Sequence, residues 1–113
     1  LLRRLEVPSA IIRLTLPQLC AGYQPTLTMR RYVRTRDRRC RFPGCRRPAR
    51  HCDLDHIVPW PAGPTDADNL QALCRYHHRL KTHGKWRVER QPDGTTIWIS
   101  PRGKRYTSRP DDP

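Results

Sequence analysis

Two cysteine-bearing stretches of the chain have the spacing of a metal site. Cys40 and Cys45 enclose four residues in CRFPGC, and Cys74 precedes His77 by three positions in CRYHH. Zinc takes four tetrahedral ligands from Cys and His, commonly as two close pairs on separate turns, because each pair then needs only one tight bend to converge. Pro43-Gly44 supplies the first bend. The second pair suits the start of a helix, where residues three apart share a face. Structural Zn2+ is therefore assigned to Cys40, Cys45, Cys74 and His77. Free cysteines filling a core would not account for two close pairs in so basic a sequence. Five cysteines also preclude complete internal disulfide pairing. Cys20 and Cys52 are left over, and both are expected as small buried hydrophobes.

A second set of polar residues is interleaved with the first. The stretch CDLDHIVPW, residues 52–60, sets Asp55 against His56 in an otherwise apolar run; Asn69 follows in GPTDADNL, and His78 adjoins His77. A buried ionisable pair is costly unless something pairs with it or uses it. Consecutive residues on a helix diverge by about 100°, so His77 and His78 must serve two sites. His77 is expected to face the zinc with Cys74, and His78 the strand that bears Asp55 and His56. Neighbours on a regular strand point to opposite faces. The strand must therefore end or twist at Asp55-His56 for both to line one cleft.

The elements that position these groups are short. A chain of 113 residues with 35% hydrophobic content and 12 prolines makes one small domain whose modest core benefits from a metal staple. Thr28 is expected to cap a helix over 29–38, followed by the zinc turn, a strand over 51–58 and a Pro/Gly/Asp-rich loop over 59–68. NLQALCRYHHRLKTHGK predicts a short turn into a helix stopped at Gly84. KWRVER and TTIWIS alternate with period two around Pro92-Asp93-Gly94, a hairpin signal. Residues 1–27, with an extended apolar run over 11–16 and a turn over 22–25, are expected as a linker or the edge of an upstream domain. Residues 28–90 form the zinc-bearing domain, and 91–113 the rest of the hairpin and a basic tail. Leu1-Leu2-Arg3-Arg4 lacks an initiator Met, so a fragment of a longer chain is expected.

The charge balance points to a polyanionic partner. Lys and Arg number 23 against 10 Asp and Glu, a formal net charge of +13 with a pI near 10.8. Nucleic acid leads. A membrane is not expected, since no run approaches the roughly 18 apolar residues of a spanning helix. Arg31, Arg34, Arg36, Arg38, Arg39 and Arg41 before the zinc turn, and Arg79, Lys81, Lys85 and Arg87 after His78, are together expected to contact phosphates. Trp60, Trp86 and Trp98 are expected in the core rather than stacked on bases. His51 and His83 are expected to be exposed or to play supporting parts.

The order His56, Asn69, His78, with Asp55 before the first histidine and zinc pairs around them, resembles the HNH endonuclease family. Its ββα-metal motif has a strand ending in Asp-His, a loop carrying Asn and a helix carrying the last His. The nearest likeness is to zinc-bearing HNH modules at the C-terminal ends of actinobacterial proteins with an uncharacterised upstream domain. CRFPGC, CDLDHIVPW, GPTDADNL and LCRYHHRLKT carry it, over about residues 28–90. Ala62-Gly63-Pro64 stands where many members have Gly-Gly.

The resemblance implies an α+β fold: a ββα-metal (HNH, His-Me finger) motif stapled by structural zinc, with an additional C-terminal β-hairpin. It implies a metal-dependent endonuclease that hydrolyses DNA phosphodiester bonds to 5′-phosphate and 3′-hydroxyl ends. Beside it stands a chemical argument. Asp55 and His78 can hold a catalytic Mg2+ or Mn2+ that stabilises the phosphorane-like charge and the leaving 3′-oxygen. His56 can act as the general base at neutral pH. Asn69 either bonds the loop backbone and so orients His56, as the family suggests more often, or approaches the ion. Double-stranded DNA is the expected partner ahead of RNA, with a dimer as one way to cut both strands, in the cytoplasm at the nucleoid. The alternative is a zinc-stabilised nucleic-acid-binding module without cleavage activity, which would not need all four polar residues intact.

Overall fold

The computed structural model describes residues 23–109. Within them lie a helix, a strand pair, a second helix and three further strands, the mixed helix and sheet class expected. Cys20, the apolar run over 11–16 and the last four residues of the tail lie outside the described residues.

Helix α1 (Leu27–Asp37) starts two residues earlier than expected. Thr26 holds extended backbone, and its Oγ1 accepts from the Met29 N–H at 3.1 Å. That satisfies a donor the helix itself cannot. Thr28 therefore sits inside the first turn. Met29, Val33 and Asp37 recur every four residues as the buried stripe. The helix ends at Arg38, whose positive φ of 65° turns the chain toward the zinc stretch.

Strand β1 (Asp53–His56) is shorter than the expected 51–58, because Ala49–His51 winds into a 3-10 turn. It pairs antiparallel with β2 (Leu70–Leu73), Asp55 opposite Gln71 and His56 opposite Leu70. Strand β2 corrects the expected turn in NLQAL. All four of its residues are buried, so it shows no polar alternation by which a strand would be recognised. The Ala72 N–H donates to Asp37 Oδ2 at 2.9 Å, and the Ala72 carbonyl accepts from the Arg41 N–H at 2.8 Å. Helix α2 (Arg75–His83) follows at once and stops at Gly84 as expected.

Strands β3 (Arg87–Arg90) and β4 (Thr96–Ile99) form the expected hairpin. Asp93 Oδ1 accepts from the Thr95 N–H at 3.0 Å, and Gly94 takes a φ of 91°. Strand β5 (Arg105–Ser108) adds a third strand where a basic tail was expected. Trp98 of β4 is fully buried in one core with Cys40, Cys52, Leu73 and Cys74, while Met29, Val33, Ala67 and Leu70 form a second. Of the other tryptophans, Trp86 packs on the first core and Trp60 is 38% exposed, against expectation. No helix among the described residues is long and apolar enough to cross a membrane.

Several arginines expected to meet phosphate instead hold the fold. Arg34 donates to the carbonyls of Ala49 and Cys52, and Arg36 to those of Ala67 and Leu70 as well as to Asp37. Arg39 caps the carbonyls of Cys40 and Cys45. Arg41 is buried and bonds the Asp37 carbonyl and Ser108 Oγ. Each satisfies backbone oxygens that the short elements leave over. Arg31, Arg38, Arg79, Lys85 and Arg87 remain exposed.

Candidate active site

Two centres share the first turn of α2. On one side, one ligand atom each from Cys40, Cys45, Cys74 and His77 lies within 4.8 Å of the others. His77 Nδ1 stands 3.3 Å from Cys74 Sγ and 3.6 Å from Cys40 Sγ. Ligands at about 2.3 Å for sulfur and about 2.0 Å for nitrogen from one ion stand about 3.5 Å apart in a tetrahedron. The first pair converges because Gly44, at φ 86°, allows a turn closed by the Cys45 N–H on the Phe42 carbonyl at 3.0 Å. The second converges because Cys74, the N-cap of α2, and His77 lie three residues apart on the helix's first turn.

The donor chemistry fits zinc. Burial pushes the Cys40 thiol well up and the His77 imidazole down. A neutral imidazole is the ligating form, and a cation would offset the cost of a buried thiolate. The Phe42 ring stacks on His77 at 4.1 Å and meets Trp86 and Trp98 edge-on, so aromatic packing fixes the imidazole plane. Cys52 stands apart as a buried thiol that donates to the Pro48 carbonyl at 3.4 Å, its pKa pushed up to about 11 by burial.

On the other side, β1 ends at Asp55-His56 and both side chains are buried, as the cleft requires. Asp55 Oδ1 stands 3.6 Å from His78 Nε2. One carboxylate oxygen and one imidazole nitrogen at this separation fit two positions of a divalent ion and leave the rest for water or phosphate oxygens. A cavity of about 540 Å³ opens here, lined by Asp55, His56, His78 and Lys81 among others. Burial pushes the His56 imidazole below its usual range, the Asp55 charge opposing and Lys81 adding to the shift. Asn69 reaches neither group in the hydrogen bonds it makes. Its Oδ1 accepts from the Val58 N–H at 2.9 Å, and its Nδ2 donates to the carbonyls of Val58 and Pro64.

The structure adds residues that sequence reasoning did not place at this site. Asp53 Oδ2 accepts from His78 Nδ1 at 3.0 Å, which leaves Nε2 bare toward Asp55. Arg75 holds the same carboxylate, and its hydrogen bond, aided by His78, keeps Asp53 below the usual carboxylate range despite burial. Gln71 donates to Asp55 Oδ2 at 3.0 Å, leaving Oδ1 to face the cleft. Lys81, expected on phosphate, instead donates to Asp55 Oδ1 at 3.2 Å and to the His56 carbonyl at 3.0 Å. His56 Nε2 stands 2.8 Å from Thr65 Oγ1, whose hydroxyl donates to the Tyr23 carbonyl at 2.9 Å. Strand period two could have flagged Asp53 beside Asp55, and helical spacing Lys81 beside His78. Nothing local marks Thr65 or Tyr23. His51 and His83 are exposed, one of the two outcomes expected for them.

A strand pair and helix that converge Asp55, His56 and His78, beside a cluster able to hold zinc, define a ββα-metal module. Residues 38–84 match the family described as HNH endonuclease, and the chain carries an HNH domain. It is 51% identical over 90 residues to the uncharacterized protein Rv3776 of Mycobacterium tuberculosis, covering 79% of this chain and 17% of that one. Rv2100 of the same organism is 52% identical over 89 residues, 78% of this chain and 16% of the relative. Rv1945, also of that organism, is 36% identical over 67 residues, 58% and 14% of the two chains. The chain thus spans about one sixth of the length of the first two curated relatives, 17% and 16%. No solved structure matches it.

Proposed function

We propose that the chain is a metal-dependent endonuclease that hydrolyses DNA phosphodiester bonds, with residues 28–90 as its catalytic unit. One observation carries the reading. Asp55, His56 and His78 face a single cleft, with the His56 imidazole held toward its neutral form.

His56 takes the proton of the attacking water as its oxygen bonds to phosphorus. The phosphorus–O3′ bond breaks, leaving 5′-phosphate and 3′-hydroxyl ends. Asp55 and His78 would hold a Mg2+ or Mn2+, which supplies the Lewis acidity that spreads charge from the phosphate and the leaving oxygen. Asp53 keeps His78 Nε2 free for that ion, and Gln71 keeps Asp55 Oδ1 turned toward it. Asn69 holds the loop beside His56. Exposed Arg79 on α2, with Lys85 and Arg87 just beyond its end, would take the phosphates of double-stranded DNA, ahead of RNA. Such an enzyme would work in the cytoplasm at the nucleoid, singly by two nicks or as a dimer.

A second reading, a zinc-stabilised nucleic-acid-binding module, draws on Lys81. Its ammonium rests on Asp55 Oδ1 at 3.2 Å, the oxygen an ion would need. Incubating the purified chain with plasmid DNA and Mg2+ or Mn2+ separates the two. Cleavage by the wild type, lost in His56→Ala while DNA binding persists, supports the nuclease. Binding without cutting of DNA or RNA in either ion selects the binding module.

A further inference from the structure

We propose that Thr65 and the Tyr23 carbonyl form a relay that fixes the proton of His56 on Nε2 and leaves Nδ1 as the basic nitrogen. The proposal rests on the reading of His56 as the base, and it concerns residues of which Tyr23 lies outside the matched 38–84 segment.

The assignment follows from counting protons. Thr65 is 1% exposed, and its hydroxyl has a single proton to give. A backbone carbonyl can only accept, so the contact of 2.9 Å between Thr65 Oγ1 and Tyr23 O takes that proton. The remaining short contact of Oγ1, 2.8 Å to His56 Nε2, must then have the imidazole as donor. A neutral imidazole protonated at Nε2 carries its lone pair on Nδ1. The Tyr23 ring stacks on the imidazole at 5.1 Å and 22°, and Trp60 stands 6.3 Å from it, so the ring is also walled against reorientation.

This relay gives Asn69 a route to His56 without contact. Asn69 Nδ2 donates to the Pro64 carbonyl at 3.0 Å, directly before Thr65, and to the Val58 carbonyl, while its Oδ1 accepts from the Val58 N–H. The closure needs a glycine. A Cβ on Gly63 would lie 2.2 Å from the Val58 carbonyl oxygen and 2.6 Å from Asn69 Nδ2. Thr65 is thus a positioning residue: Asn69 sets the loop, the loop sets Thr65, and Thr65 with Tyr23 sets the His56 tautomer.

The test uses the full chain, two substitutions of Thr65 and one of His56. Nitrogen-15 NMR of the histidine rings at neutral pH, assigned through His56→Ala, should show His56 protonated at Nε2 in the wild type and in Thr65→Ser. Thr65→Val, of the same shape without the hydroxyl, should lose that preference and lower kcat about 100-fold with KM unchanged, while Thr65→Ser restores it. A wild-type His56 protonated on Nδ1 overturns the relay, as does a folded Thr65→Val that cuts like the wild type. If Thr65→Val does not fold, the ring spectra of the wild type and Thr65→Ser still decide. If the wild type cuts no nucleic acid, the endonuclease reading fails, whereas the tautomer still tests the relay.

Discussion

His77 and His78, neighbours on α2, turn into two centres built on different plans. His77 completes a set of four donors, three of them sulfur, packed against Phe42, Trp86 and Trp98. His78 meets a single oxygen of Asp55 across a cleft that opens to solvent, its own side chain 32% exposed. A filled set of ligands has no position left for a reactant, so its free energy goes into folding. An open set leaves positions for water and phosphate at the expense of affinity. With zinc bound, the closed centre would hold still the helix that carries His78 into the cleft.

The largest effect should come from breaking the closed centre. Apparent zinc-binding energies of structural sites, about 10–16 kcal/mol, match or exceed the roughly 5–15 kcal/mol of a whole domain. Cys74→Ser, or a strong chelator, should abolish the folded state by circular dichroism. A Cys74→Ser protein with unchanged Tm would remove the structural role from the cluster. His56→Ala, by contrast, should leave the fold and DNA binding in place and lower cleavage about 10²- to 10⁴-fold. Equal damage to folding would erase the distinction between the two centres.

A smaller effect should fall on the open centre alone. Asp53→Asn removes the carboxylate that accepts from His78 Nδ1. Affinity for the catalytic ion should fall about 10- to 100-fold, by analogy with the supporting carboxylates of other metal sites. The Mg2+ or Mn2+ dependence of cleavage reads this, and bound zinc should not change. Zinc loss in Asp53→Asn would show that the two centres are not separable through α2.

The closed centre was legible in the sequence because its ligands come as local pairs: Cys40 with Cys45 across Pro43-Gly44, and Cys74 with His77 on one helical face. The open centre was legible only in part. Asp55, His56 and His78 meet as the strand-end argument required, yet the groups that tune them depend on packing. Strand β2, which brings Gln71 to Asp55, was hidden because its residues are buried on both faces and do not alternate. The arginines before the zinc turn read as a phosphate-binding surface from charge alone. Arg34, Arg36, Arg39 and Arg41 are instead drawn inward to backbone oxygens that composition cannot reveal.

The smallest effect should be a displacement on the pH axis, and its sign is fixed by which form of His56 the cleft favours. Burial is the largest influence on this imidazole and disfavours the cation; Lys81 acts the same way, and only Asp55 opposes. The folded value therefore lies below the ordinary 6.5. A base must be unprotonated to act, so the acid limb of cleavage should be centred below 6.5. A divalent ion on Asp55 would repel the proton further and move the decline in the same direction. The pH profile of kcat/KM, taken at saturating ion, checks this. An acid limb centred at or above the ordinary histidine value would mean that the cleft holds His56 charged near neutrality. The burial of the His56 ring would then not be what prepares the base.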